Sequence, residues 1–384
     1  ATTDIGNLVN ANLRELRKIP PEKQNPGLLA GLLAGSNNST LNQDVLTTVI
    51  HDPALRHNAW YLVRAGETRL EYIFQLFELV DKHGFPVENF MHFKYGSVLA
   101  DLDPVQLHNL GNRLLSYGKA GRWTAFSIVY MNSFSNVEKW SAHETYMRKL
   151  LEGDNLMIGI RQFKSAEGYY WGDAVQRILR HGQDFGFAKT IAQQILEVCE
   201  HPDYSFSADN YILMASETLL QQYFDTVWPW FGKAILQSPL SFLHIRHLIG
   251  TRNGHPHHRE GLAFQYPEHH DTIMAWVAAN EPIAPRRIAN MMPLQGKDGH
   301  WHPLALRLIN KYGQDPVFIG ELTANFGTYG ITGSRLPYLK KKHSLFKELE
   351  NHPIQTVKEW AKSQASQVET EIQRDRLQEE ERDL

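Results

Sequence analysis

The chain holds one cysteine, Cys199, in 384 residues, which excludes an intrachain disulfide framework and suits a reducing cytosol. It has no apolar run near the roughly 20 residues that a membrane-spanning helix needs. A membrane partner is therefore not expected, and the location reads as cytoplasmic. Charge of one sign is missing too: 39 Lys and Arg against 42 Asp and Glu leave a formal charge of −3. Bulk electrostatics thus select neither nucleic acid nor a lipid surface. Strand-type alternation is nearly absent. The sequence has no Gly-x-x-x-x-Gly-Lys-Ser/Thr phosphate loop, no Gly-x-Ser-x-Gly elbow and no His-Glu-x-x-His helix, so no cofactor is expected and the chain reads as non-catalytic. The opening Ala1-Thr2-Thr3-Asp4 lacks both a Met and the features of a signal peptide. The expectation is a piece of a longer protein rather than a trimmed one.

What is present is helical periodicity and a phrase that occurs twice. His51-Asp52-Pro53-Ala54-Leu55-Arg56-His57-Asn58-Ala59 and His352-Pro353-Ile354-Gln355-Thr356-Val357-Lys358-Glu359-Trp360-Ala361 both pass from a Pro turn to an aliphatic residue, a cation and an alanine. Leu55, Ala59 and Leu62 are expected on one helix face, as are Val357, Ala361 and Val368. Pro is tolerated in a helix's first turn, and a buried Ala admits a neighbouring helix closely. Such a face suits the inner helix of a stacked hairpin, the unit of a solenoid.

Apolar residues follow helical spacing at Leu70, Ile73, Phe74, Phe77 and Val80, at Leu107, Leu110, Leu114 and Tyr117, and at Ala188, Ile191, Ala192, Ile195 and Cys199. Further helices are expected near 207–225, 228–237, 239–249, 267–279, 283–292, 302–312 and 315–326. Breakers separate them at hairpin spacing, including Gly84-Phe85-Pro86, Asp103-Pro104, His201-Pro202, Ser238-Pro239 and Asp315-Pro316. The expected fold is all-α, an irregular HEAT-like α-solenoid of stacked helical hairpins. Repeats are expected over 1–159, a long ordered loop over 160–172 carrying Tyr169, Tyr170 and Trp171, and further repeats over 173–384. Beyond Val368 the final helix turns charged, which reads as a solvated end or fraying tail.

Several stretches in the second half carry a family likeness. They are Trp228-Pro229-Trp230-Phe231-Gly232, His302-Pro303-Leu304-Ala305, Leu322-Thr323-Ala324-Asn325-Phe326-Gly327-Thr328, Gly333-Ser334, Tyr338, Leu345-Phe346-Lys347-Glu348-Leu349 and the His352-Pro353 helix. Together they resemble the C-terminal helical region of large bacterial antiviral-defence proteins. In those, a STAND or NACHT nucleotide-binding module, or another effector module, often precedes HEAT-like repeats. The resemblance runs from about Trp228 to the end and reaches the first half only in style. It implies sensing or scaffolding and carries over no catalytic residue.

Two clusters are candidates for binding. The first is rich in histidine: His244, His247, Arg252, His255, His257, His258, Arg259, Glu260, His269, His270 and Asp271. Imidazoles and carboxylates can ligate zinc, but the interleaved arginines oppose a cation, so a polar surface is the plainer reading. The second is the basic run Arg335, Lys340, Lys341, Lys342, His343 and Lys347, beside Tyr329 and Tyr338. Facing a nucleic acid it could hold phosphate and stack bases; otherwise it is a solvated helix face. Trp228 to Phe231 reads as hairpin core, Cys199 as an inert core thiol, and Asp103 as a helix start. The leading expectation is a recognition or scaffold region of a bacterial antiphage defence protein. It would bind a phage-encoded protein trigger or neighbouring domains of the same system, through Arg252, His255, His257, His258, Arg259, Arg335 and Lys340 to Lys342. The alternatives are nucleic-acid binding by the same fold and a metal-dependent hydrolase centred on His255, His257 and His258.

Overall fold

The computed structural model describes residues 2–65, 69–93, 99, 102–157, 166–201, 209–251, 261–326 and 334–382. Two compact units divide the chain, Ala1–Ile160 and Arg161–Leu384. The first contains α1 (Thr2–Leu16), α2 (Gly27–Ser36), α3 (Ser39–His51), α4 (Ala59–Ala65), α5 (Leu70–Gln75), α6 (Phe77–His83), α7 (Pro104–Leu115), α8 (Gly118–Ser133) and α9 (Val137–Leu151). The second contains α10 (Ala166–His181), α11 (Phe185–Glu200), α12 (Asp209–Gln222), α13 (Phe224–Leu236), α14 (Pro239–Ile249), α15 (His270–Ala279), α16 (Ile283–Met291), α17 (Pro303–Tyr312), α18 (Pro316–Phe326), α19 (Leu336–Leu349) and α20 (Gln355–Arg382). The fold is all-α: among the described residues no strand forms, and one isolated bridge joins Gln295 to Trp301. None of the described helices is long and apolar enough to cross a membrane.

Local chemistry sets the helix starts. Asn38, Asn136, Asp184 and Ser238 each accept a backbone N–H from the first turn of α3, α9, α11 and α14. Asp103 does the same for α7 inside a reciprocal capping box with Gln106. Gly84, at φ +70°, ends α6 with the left-handed residue that glycine adopts without a Cβ penalty.

Packing then follows the chain. In both units the principal contacts join a helix to the next one, two or three along: α2 to α4, α7 to α8 and α8 to α9 in the first, and α10 to α12, α11 to α13, α16 to α18 and α19 to α20 in the second. Many side-chain hydrogen bonds between helices join positions 27 to 52 apart, beside shorter links such as Ser36 to Asn42 and Tyr338 to Phe326. Tyr223 reaches the Leu179 carbonyl at 2.7 Å, Asn325 donates to Ala289 and Met292, and Trp301 donates to Leu345. Ties of one repeat length are how helical repeats hold together, each unit touching only its neighbours. The second unit ends in an aromatic core in which Trp301 packs on Phe326, Phe346 and Trp360 at ring distances of 5.6 to 6.3 Å.

The faces expected from the doubled phrase are buried at Leu55, Ala59, Leu62, Val357, Ala361 and Val368. In the first copy, however, Leu55 precedes a 3-10 turn over Arg56–Asn58, and the α-helix starts only at Ala59. The segment read as a loop over 160–172 is helical from Ala166, with Tyr170 and Trp171 buried in α10. Gly168 and Gly172, which look like breakers, instead let Tyr211 of α12 approach. A Cβ at Gly168 would lie 2.5 Å from the Tyr211 ring, and one at Gly172 2.8 Å from its carbonyl oxygen. The boundary expected between 225 and 228 falls slightly earlier, at Tyr223, and α13 runs from Phe224 through Pro229 with Trp228 and Phe231 buried either side. Of the two readings past Val368, the solvated helix end holds from Arg376 on and the fraying tail does not. The helix continues to Arg382, burying Val357, Ala361, Ala365, Val368, Ile372 and Asp375 at three- and four-residue steps.

Candidate protein-interaction sites

The acidic face of α20 explains the fate of the basic run. Arg335 pairs with Glu371 at 3.2 Å and with Asp375 at 3.6 Å. Asp375 is only 7% exposed, so its carboxylate depends on that partner. Lys342 is half-buried, with its ammonium 5.5 Å from the Phe326 ring centre. Burial lowers its pKa, against the pull of Glu371. His343 lies 3.7 Å from Glu369, and Lys347 pairs with Glu350. Lys340 and Lys341 are exposed. The run is therefore divided: Arg335, Lys342 and His343 face the carboxylates of α20, and two lysines face solvent.

Arg252, His255, His257, His258, Arg259 and Glu260 lie outside the described residues. The stem that carries them is defined. Thr251 N–H donates to the Met291 carbonyl at 2.9 Å and Ala263 N–H to that of Ile249 at 3.1 Å. At its base Gly261, at φ +67°, sits so close to Gly250 that a Cβ would lie 2.8 Å from the Gly250 carbonyl carbon. The flanking histidines serve the fold. His244 is buried against the Cys199 carbonyl, and His270 donates to that of Phe264 at 3.0 Å. The His269 ring stacks on Phe224 at 4.0 Å. His302 caps α17, and burial, reinforced by His270, pushes its pKa down to about 4. Among the described residues no three His, Cys, Asp or Glu side chains could share a metal ion.

A site that the sequence did not single out lies between α7 and α9. His108 on α7 and His143 on α9 are 35 positions apart, and their Nε2 and Nδ1 atoms meet at 2.9 Å. The His108 ring stacks on Tyr146 at 4.2 Å, while the Tyr146 hydroxyl donates to Asn112 at 3.2 Å. Gly111 makes room, since a Cβ there would lie 2.5 Å from that hydroxyl oxygen. His143 is 3% exposed; burial, then the nearby His108 and Lys139, pushes its pKa down to about 4, and burial lowers that of His108 also. The two rings thus form a neutral pair. Beside them opens a pocket of about 240 Å³. It is lined by Leu99, Leu102, Pro104 and Leu107, by Asn132 of α8, and by Glu138, Lys139, Ala142 and His143 of α9. The only signal in the sequence was the one-repeat spacing of the two histidines, which local periodicity does not register.

The first hairpin carries the second exposed apolar surface. The segment Gly27-Leu28-Leu29-Ala30-Gly31-Leu32-Leu33-Ala34-Gly35-Ser36 has no charged residue. Its buried positions are Leu29, Ala30 and Leu33; Leu28 is 64% exposed, and the space outside Gly31 and Gly35 is open. Between α1 and α2 runs a groove of about 520 Å³ lined by Leu8, Ala11, Leu28 and Leu32, with Arg14, Glu15 and Lys18 along it.

Fold and surfaces together define an all-α protein packed in the manner of a helical repeat. No protein-family model, no curated protein and no solved structure matches the chain.

Proposed function

We propose that this chain is a non-catalytic recognition or scaffold region of a cytoplasmic antiphage defence protein, which binds a protein trigger or neighbouring domains of the same system. The observation that carries the reading is the apolar surface of the first hairpin, where Leu8, Leu28 and Gly31 are exposed and half-buried Leu32 lines the groove beside them. Contiguous exposed apolar surface, rimmed by charge, is characteristic of protein contact sites. One-repeat packing supports it further, because such stacks present long surfaces to partners without needing a catalytic cleft. The defence context rests on the likeness of this chain, from about Trp228 on, to helical regions of such proteins; Phe326, Phe346 and Trp360, which belong to the stretches that carry it, pack around Trp301. A trigger would act by preferring one arrangement of the whole protein over another.

The test is capture of partners by the tagged chain from phage-infected and uninfected lysates, with and without nuclease. A phage protein retained after nuclease supports the reading. Nucleic acid retained at low salt and lost at high salt moves the function to phosphate binding through exposed Lys340 and Lys341.

A further inference from the structure

We propose that the pocket between α7 and α9 receives the side chain of a tyrosine from a protein partner. Its ring would lie against Leu102, Leu107 and Ala142, and its hydroxyl would meet His143. The inference rests on the recognition reading and specifies its chemistry at one place.

Four observations lead to it. The volume, about 240 Å³, falls below the roughly 300–1,000 Å³ of small-molecule sites and suits one large side chain. The two charges in the lining, Glu138 and Lys139, are of opposite sign, so the pocket favours a neutral occupant. Apart from that charged pair the walls are mostly apolar, and two neutral polar groups stand among them: the Asn132 amide, whose Nδ2 donates to the Ile128 carbonyl at 2.8 Å, and the His143 imidazole, whose Nδ1 is already taken by His108. That leaves Nε2 for an occupant. Because the shared proton can reside on either ring of the pair, Nε2 can donate or accept, and a phenolic hydroxyl can do the same. Finally, the apolar surface continues outside the pocket. Val105, next to Pro104, is 68% exposed, and Val137, next to Glu138, is 82% exposed. A small molecule inside the pocket leaves both wet, whereas a protein that inserts an aromatic anchor covers them.

The probes are p-cresol, which is the tyrosine side chain alone, and toluene, which lacks the hydroxyl. Methyl NMR of the full chain follows Leu102, Leu107 and Ala142 during titration. The expected result is saturable shifts at these methyls, with p-cresol binding about two- to tenfold tighter than toluene, the range of one neutral hydrogen bond. His143→Phe should remove that preference. Ala142→Trp, a change at an exposed position that fills the pocket, should abolish binding of both probes. The proposal is overturned if these methyls do not shift, if toluene binds as tightly as p-cresol, or if Ala142→Trp leaves binding intact. A captured partner held equally well by Ala142→Trp overturns the pocket and leaves the recognition reading standing. Cresol binding without any captured partner places the failure in the recognition reading instead.

Discussion

Acid should loosen both units, for a reason that can be worked from two histidines. His143 and His302 are buried as neutral imidazoles, each with its pKa pushed from 6.5 to about 4. The unfolded chain binds protons at these positions below its ordinary pKa, and the folded chain does not. Each group's stabilisation is therefore complete above about pH 6.5 and is lost as pH falls toward 4. Between pH 7 and pH 5 the linkage relation gives a loss of about 2 kcal/mol per histidine, one in each unit. The same sign applies to His108, His269 and His352, whose pKa values burial also lowers. Two effects are separable from this window. Glu78, held below its usual 4.5 by the Lys82 ammonium, keeps its contribution at pH 5. The exposed His300, raised by its hydrogen bond to Glu348, works in the opposite direction. The assay is urea unfolding at pH 7 and pH 5, read by the fluorescence of the nine tryptophans. Each unit of the wild type should lose about 2 kcal/mol from its buried histidine over this interval. A variant combining His143→Gln and His302→Asn should lose much less, the Asn keeping a capping oxygen for α17. Equal stability at the two pH values, or the same pH dependence in wild type and variant, would refute the reasoning.

Three further outcomes follow from single contacts. Gly172→Ala should destabilise the second unit by about 1 kcal/mol net in urea, because the clash with the Tyr211 carbonyl costs about 1–3 kcal/mol and exceeds the gain of about 1 in helix propensity. Asp103→Ala removes the capping box of α7 and should cost about 1 kcal/mol, measured the same way. Arg335→Ala leaves Asp375 with Arg374 at 3.9 Å; because Arg335 is itself exposed, the change should lower stability by about 1 kcal/mol and speed tryptic cleavage at Arg374 and Arg376.

Much of the architecture was legible because local chemistry specifies it. Asp103-Pro104, Ser238-Pro239 and Asp315-Pro316 each open a helix where the sequence placed one. The misreadings share a cause: the deciding atom belongs to another repeat. Gly168 and Gly172 read as a loop until Tyr211 of α12 is set against them. The α20 seam carries charges between its apolar positions and looks solvated until α19 supplies Arg335 for Asp375. The basic run was visible as a composition, but its pairing with Glu369, Glu371 and Asp375 depends on two helices meeting. The His108–His143 pair escaped for the same reason, since nothing near either residue marks the other.

The central claim is that the chain recognises a protein through exposed apolar surface. The most direct measurement compares wild type with Leu28→Asp in partner capture from phage-infected lysate after nuclease treatment. Leu28 is exposed enough for the substitution to spare the fold, which circular dichroism checks. The account predicts a protein partner retained by wild type and lost by the variant at unchanged helicity. Equal retention by both, or retention of nucleic acid alone in the untreated sample, would contradict it.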